Sequence, residues 1–157
     1  KIYKRDYVKM TKIHERLFDG GIEVLEALKN HGLLLAIATG KNQTGAENAC
    51  ERLEISSYFD SIHGVLPGTP GKPHPAILHR VMQALDVSPD ECILVGDTTH
   101  DMELATAAGV FAMGVNWGVH SLEALTNSGV EVVTNMIDLQ RRLLSLSQKS
   151  VDMNLGL

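Results

Sequence analysis

The sequence predicts an α/β fold, a Rossmann-like three-layer sandwich with a mainly parallel sheet between two layers of helices. Short apolar runs, too short for surface helices, alternate strictly with segments of helical periodicity. Each strand–helix–strand step takes a right-handed crossover, so the helices fall on both faces of the sheet. The length agrees: 157 residues with 44% apolar content suffice for one domain with a buried core.

The elements follow in order. Glu23–Asn30 has helical spacing, with Ile22, Leu25 and Leu28 on one face and Gly32 as a stop. Leu33–Ala38 (Leu-Leu-Leu-Ala-Ile-Ala) is a buried strand. Thr44–Leu53 is a helix, Ser61–Val65 a short strand, and the Gly- and Pro-rich Leu66–Pro75 a loop. Ile77, Val81 and Leu85 form the stripe of the next helix, backed by Leu78 and Met82. Ser88-Pro89-Asp90 turns the chain into the strand Cys92–Val95. The helix Asp101–Ala108 stops at Gly109 and leads to a strand over Val110–Val115. A helix at Ser121–Thr126, a strand at Glu131–Val133 and a helix at Ile137–Leu146 complete the pattern. Residues 17–146 therefore form the core domain, and 147–157 read as a flexible C-terminal tail. Residues 1–16 are polar and helical in propensity and stand outside the alternation, as the end of an element belonging to something else.

Composition excludes several classes. A net charge of −5, with no basic stripe, argues against nucleic acid as a partner. No apolar run reaches the ~18 residues a membrane span needs, and no signal-peptide core is visible at the start. Cys50 and Cys92 read as reduced core residues, which points to the cytoplasm. The seven histidines show no zinc-type spacing.

The chemistry concentrates in three places. Ile93-Leu94-Val95-Gly96-Asp97-Thr98-Thr99-His100-Asp101 is an apolar run that breaks at glycine into two carboxylates. Ligands of open α/β sheets sit at such strand ends. Two acids there repel and lose hydration, so a bound cation is a natural compensation, and hard oxygen ligands favour Mg²⁺. Alternatively, Asp97 caps the following helix and Asp101 lies in its solvated first turn. Thr39-Gly40-Lys41 offers a hydroxyl and backbone N–H groups at a strand-to-helix turn, a nest that suits phosphate. Gly71-Lys72-Pro73-His74-Pro75 sets one lysine between rigidifying residues, as a fixed positive charge against an oxyanion. Alone, the first of these two is an ordinary turn and the second a solvated loop lysine.

Taken together and in this order, the motifs resemble the haloacid dehalogenase-like (HAD) phosphatase superfamily, from about Phe18 to Leu144. Ala38-Thr39-Gly40-Lys41 and Val115-Asn116-Trp117-Gly118 look most like its phosphoglycolate phosphatase branch. Gly96-Asp97 favours a magnesium-dependent phosphatase over a dehalogenase. The resemblance implies that Thr39 and Gly40 bind the phosphoryl group and that Lys72 neutralises it together with the nucleophile. Asp97 would bind Mg²⁺, and Asp101 would be a second ligand or orient metal-bound water. The substrate the resemblance implies is a small phosphorylated metabolite, with 2-phosphoglycolate as the candidate its branch suggests.

One family feature is absent. Relatives attack phosphorus with the first aspartate of an Asp-x-Asp motif at the end of a central N-terminal strand. No such motif occurs here; Asp19 follows a charged stretch and reads as the cap of the next helix, and Asp6 has no claim. The central strand and most of the inserted cap domain are thus expected to be missing, with residues 1–16 as the tail of that helical cap. The strands at Leu33–Ala38 and Cys92–Val95 would then lack ladder partners, at ~1–3 kcal/mol per unmet buried group. Three outcomes answer this: the sheet closes up, copies exchange strands in a homo-oligomer, or the chain is part of a longer polypeptide. The start at Lys1 instead of methionine favours the last. The chain alone is expected to be inactive; a non-catalytic remnant that binds phosphate or a protein is the alternative, and a sugar-phosphate mutase of the same family a third reading. Trp117 reads as packing and His100 as a surface residue.

Overall fold

The computed structural model describes residues 2–4 and 17–154, with side chains over 17–148. Six parallel strands form one sheet in the order β3-β2-β1-β4-β5-β6. They are β1 (Ile2–Lys4), β2 (Leu35–Asn42), β3 (Ser61–Val65), β4 (Ile93–Gly96), β5 (Phe111–Val115) and β6 (Glu131–Val133). The helices are α1 (Gly21–Asn30), α2 (Gln43–Arg52), α3 (Ala76–Leu85), α4 (Thr99–Ala108), α5 (Leu122–Asn127) and α6 (Met136–Asn154).

Strand alternation sorts the core into two layers. Leu35 and Ile37 of β2, Val95 of β4 and Met113 and Val115 of β5 pack with Val24, Leu25 and Leu28 of α1 and Leu139 and Leu143 of α6. The intervening Ala36, Ala38 and Leu94 face Ile77, Leu78 and Val81 of α3 and Leu104 and Ala105 of α4. The period of two sends successive residues to opposite faces. Each fully buried leucine contributes about 1.5–3 kcal/mol. Gly109, at φ 69°, ends α4 in the left-handed region that glycine adopts without a Cβ penalty.

Three expectations are corrected. Ile2–Lys4 is the middle strand of the sheet and not helical: Ile2 lies opposite Leu35 and Ile93, and Lys4 opposite Ile37 and Val95. Backbone pairing on both sides drives this placement, and side-chain pattern cannot reveal it in three residues flanked by charge. The slot between β2 and β4 is thereby closed from within the chain, which removes the gap that motivated strand exchange. The rest of the expected cap tail, 5–16, lies outside the described residues, as does Asp6.

Second, α6 continues to Asn154 where a loose tail was expected from 147. No glycine or proline interrupts it before Gly156, and Leu144 and Leu146 pack against the core. Third, Asp19 does not cap α1. It is exposed in a turn, and Gly20 at φ 82° takes the N-cap position without a side-chain bond.

Candidate active site

Parallel strands end on a common rim, and the sequence-flagged side chains lie along it. Thr39 closes the buried stretch of β2, at 3% exposure. Beyond it the pairing is irregular: Ala38 lies opposite His63 but Asn42 opposite Val65, so Thr39, Gly40 and Lys41 face Gly64 alone. The expected strand-to-helix turn is therefore a bulge within β2. Its cause is local. A Cβ on Gly64 would stand 2.6 Å from the Asn42 carbonyl, so only glycine lets the strands approach there. The Gln43 amide accepts from Gly64 N at 2.8 Å and donates to Ile62 O at 2.9 Å, replacing missing ladder bonds. Gly40 is exposed, with nothing within 4 Å of an added Cβ.

Lys72 reaches this bulge from the loop before α3, across a cis Lys72–Pro73 peptide. Its ammonium donates to Ala38 O at 2.7 Å and to Asp101 Oδ1 at 3.1 Å. The pair is desolvated, with side-chain exposures of 8% for Lys72 and 0% for Asp101. Asp101 is also the third residue of a capping box at the start of α4. Thr98 donates to Asp101 Oδ2 from its hydroxyl at 2.9 Å and its backbone N at 3.3 Å, while Thr98 Oγ1 accepts from Asp101 N. Gly96 makes room for this, since a Cβ there would lie 2.5 Å from that of Asp101.

Asp97 follows β4 directly and is 2% exposed. Its Oδ2 accepts from Val119 N and its carbonyl from His120 N, both at 3.0 Å. Gly118 lies against it so closely that a Cβ would stand 2.3 Å from Oδ2. His120 Nδ1 accepts from Thr99 N at 3.0 Å. Pattern reading quoted Gly118 only as part of a resemblance and gave no role to it, Val119 or His120, because Val119 and His120 act on Asp97 through backbone groups. The glycine after Trp117 was their one visible signal.

The structure thus brings Lys72, Asp101 and the end of β2 into direct contact, and sets Asp97 at the end of β4 four residues before Asp101. The donor set fits a hard cation through Asp97, a buried carboxylate at a strand end. Mg²⁺ commonly takes one or two protein carboxylates and completes its shell with water and phosphate oxygens. Asp101 fits less well as a ligand, because both its oxygens serve Lys72 and Thr98. Among the described residues no three His, Cys, Asp or Glu side chains group as a metal cage.

Two other features stand apart. His63, opposite Ala38, has its pKa lowered from the ordinary value, chiefly by burial and then by the Arg80 charge; Arg80 Nη2 lies 3.4 Å from its Nδ1. A groove of about 360 Å³ between β6 and α6 is lined by none of Thr39, Lys72, Asp97 and Asp101. Its arginines are paired, Arg142 with Glu131 and Arg141 with Asp138, so it presents no unbalanced positive charge. Trp117 packs against the core. No helix among the described residues is long and apolar enough to cross a membrane.

Residues 1–115 match the model of the family described as "Haloacid dehalogenase-like hydrolase". The chain belongs to this family. Among curated HAD relatives, "Probable phosphatase IndB" of Dickeya dadantii is 34% identical over 139 residues, which is 86% of this chain and 60% of that protein. The phosphoglycolate phosphatase of Escherichia coli K12 is 30% identical over 138 residues, 88% of this chain and 55% of that one. The solved structure of a haloacid dehalogenase-like family hydrolase from Streptococcus pneumoniae superposes with a TM-score of 0.75 at 28% identity, covering 82% of this chain and 60% of that one. The HAD chain described here therefore spans little more than half the length of these relatives, and its α/β sandwich is theirs.

Proposed function

We propose that this chain is the phosphate- and metal-binding half of a Mg²⁺-dependent phosphomonoesterase acting on a small phosphorylated metabolite. The names of the phosphoglycolate phosphatase relatives make 2-phosphoglycolate the first substrate to try. The observation that carries the reading is the buried Lys72 ammonium, anchored between Ala38 O and Asp101 beside Thr39. A lysine held this way is a preorganised positive charge at a strand end, suited to the charge on a transferring phosphoryl group. The Thr39 hydroxyl and the exposed backbone at Gly40 supply hydrogen-bond partners to phosphoryl oxygens. Asp97 would hold Mg²⁺, which when bound neutralises phosphoryl charge.

The nucleophile is the part the described residues do not supply. In the complete reaction a carboxylate oxygen attacks phosphorus, the bond to the ester oxygen breaks, and the departing alkoxide takes a proton; water then releases phosphate. Asp97 and Asp101 are committed elsewhere, so the chain alone is expected to bind phosphate without turning esters over. No membrane or nucleic acid enters this reading, and the setting is cytoplasmic. The alternative is a module that binds phosphate or a protein without chemistry.

Purified chain given p-nitrophenyl phosphate and Mg²⁺ is expected to release no p-nitrophenol above the blank. Turnover that disappears in Asp97→Asn would overturn the inactivity of the chain. The same assay on a longer native product bearing an upstream Asp-x-Asp is expected to show hydrolysis lost in both Asp97→Asn and Lys72→Met. An inactive longer product would leave the remnant reading standing.

A further inference from the structure

Three consecutive residues of one loop close on Asp97: Gly118 by contact, Val119 by its N–H on Oδ2, and His120 by its N–H on the carbonyl. Such close backbone approaches fix the carboxylate only if the loop itself is held. Ser121 attaches one end of the loop to α5, by accepting from Ala124 N at 3.2 Å. On the α4 side the His120 imidazole makes the tie, through Nδ1 to Thr99 N. Thr99 opens α4, so its N–H has no acceptor within the helix. The Thr98 hydroxyl caps the third residue, accepting from Asp101 N, and so leaves the first N–H to another acceptor. His120 thus satisfies an orphan donor and fastens the loop by the same bond. The edge-to-face ring of His100, with centroids 6.3 Å apart, restricts its swing. Because Thr99 donates to Nδ1, the neutral ring carries its proton on Nε2.

We infer that His120 is the positioning residue of the Asp97 carboxylate. By tying the 116–120 loop to the first turn of α4, it sets the direction in which Asp97 presents its charge to a cation. The inference rests on the reading of Asp97 as a metal ligand, which sequence alone assigned without any partner from this loop. Groups that orient a metal ligand commonly control affinity by 10–100-fold.

Mn²⁺, a paramagnetic stand-in for Mg²⁺, can be titrated into the whole chain and followed by water-proton relaxation. His120→Ala is expected to weaken Mn²⁺ about tenfold or more. His120→Asn is expected to restore most of the affinity, because its amide oxygen can accept from Thr99 N–H. Asp60→Ala, at the opposite rim, is expected to lower the melting temperature without changing Mn²⁺ affinity. Should His120→Ala fail to fold, His120→Phe keeps the ring volume, lacks the acceptor, and carries the same expectation. Unchanged affinity in the variant without the acceptor, or a loss that His120→Asn does not relieve, overturns the positioning role while leaving Asp97 as ligand. No Mn²⁺ binding by the parent chain, or binding indifferent to Asp97→Asn, overturns the reading of Asp97 itself.

Discussion

Two lysine–aspartate pairs stand at opposite rims of this sheet, nearly identical in length and unlike in consequence. At the amino rim, Lys29 of α1 meets Asp60 at 3.2 Å, and Asp60 also accepts from Leu35 N at the start of β2. At the carboxyl rim, Lys72 meets Asp101 at 3.1 Å, and Asp101 also accepts from Thr98 N. Residue types and the accompanying backbone bond agree, and the sequence spacings are close, 31 and 29 residues. The difference is water: the first pair is about a third exposed, while the second is nearly sealed. An exposed pair gains little, because solvent screens it and its long side chains lose freedom. A sealed pair gives up hydration that mutual attraction only roughly offsets, so stability alone does not explain its presence. Desolvated charge at a strand end is instead what binding an anion requires.

The largest effect should come from unmatching the sealed pair. Asp101→Ala leaves the Lys72 ammonium buried beside a carbonyl and opens the first turn of α4, and is expected to cost about 3–5 kcal/mol in a urea melt. A loss near that of a surface pair would mean that water reaches Lys72 readily, and the contrast between the rims would dissolve.

A smaller effect should appear with pH at the neighbouring strand. The pKa of His63 is lowered on folding, by burial and by Arg80, so the unfolded chain binds the proton more readily. Its contribution is intact above the ordinary histidine value of about 6.5 and is lost as pH falls below it. Melting temperatures taken between neutral and mildly acid pH should fall less steeply in His63→Gln than in the parent chain. Parallel slopes would assign the acid sensitivity to other groups.

The smallest effect belongs to the exposed pair. Lys29→Met is expected to change stability by less than about 1 kcal/mol. A cost as large as that of Asp101→Ala would show that burial does not separate the two rims.

How much was legible follows from the kind of signal each feature leaves. The two-residue alternation through Leu35, Ala36, Ile37 and Ala38 marks a strand buried on both faces, and Gly109 marks a helix end; both were readable because side chains carry them. Lys72 was readable because prolines frame it. The place of Asp101 near the site was legible, but its commitment to Lys72 and Thr98 was not, since an acid four residues after another looks equally like a ligand. β1 escaped because three residues have no periodicity. The bulge at Thr39–Lys41 escaped because its causes, Gly64 and Gln43, lie in other segments. The clamp of Gly118, Val119 and His120 escaped because backbone N–H groups are the same in every sequence.

The fit between Gly96 and Asp101 has a consequence for variation. With 2.5 Å between an added Cβ at 96 and that of Asp101, the two positions cannot drift independently. A library randomised at both should return aspartate at 101 only in company with glycine at 96, and any larger residue at 96 should survive only beside a smaller one at 101. What reads along the chain as a glycine followed by two acids is, in three dimensions, a single inherited unit.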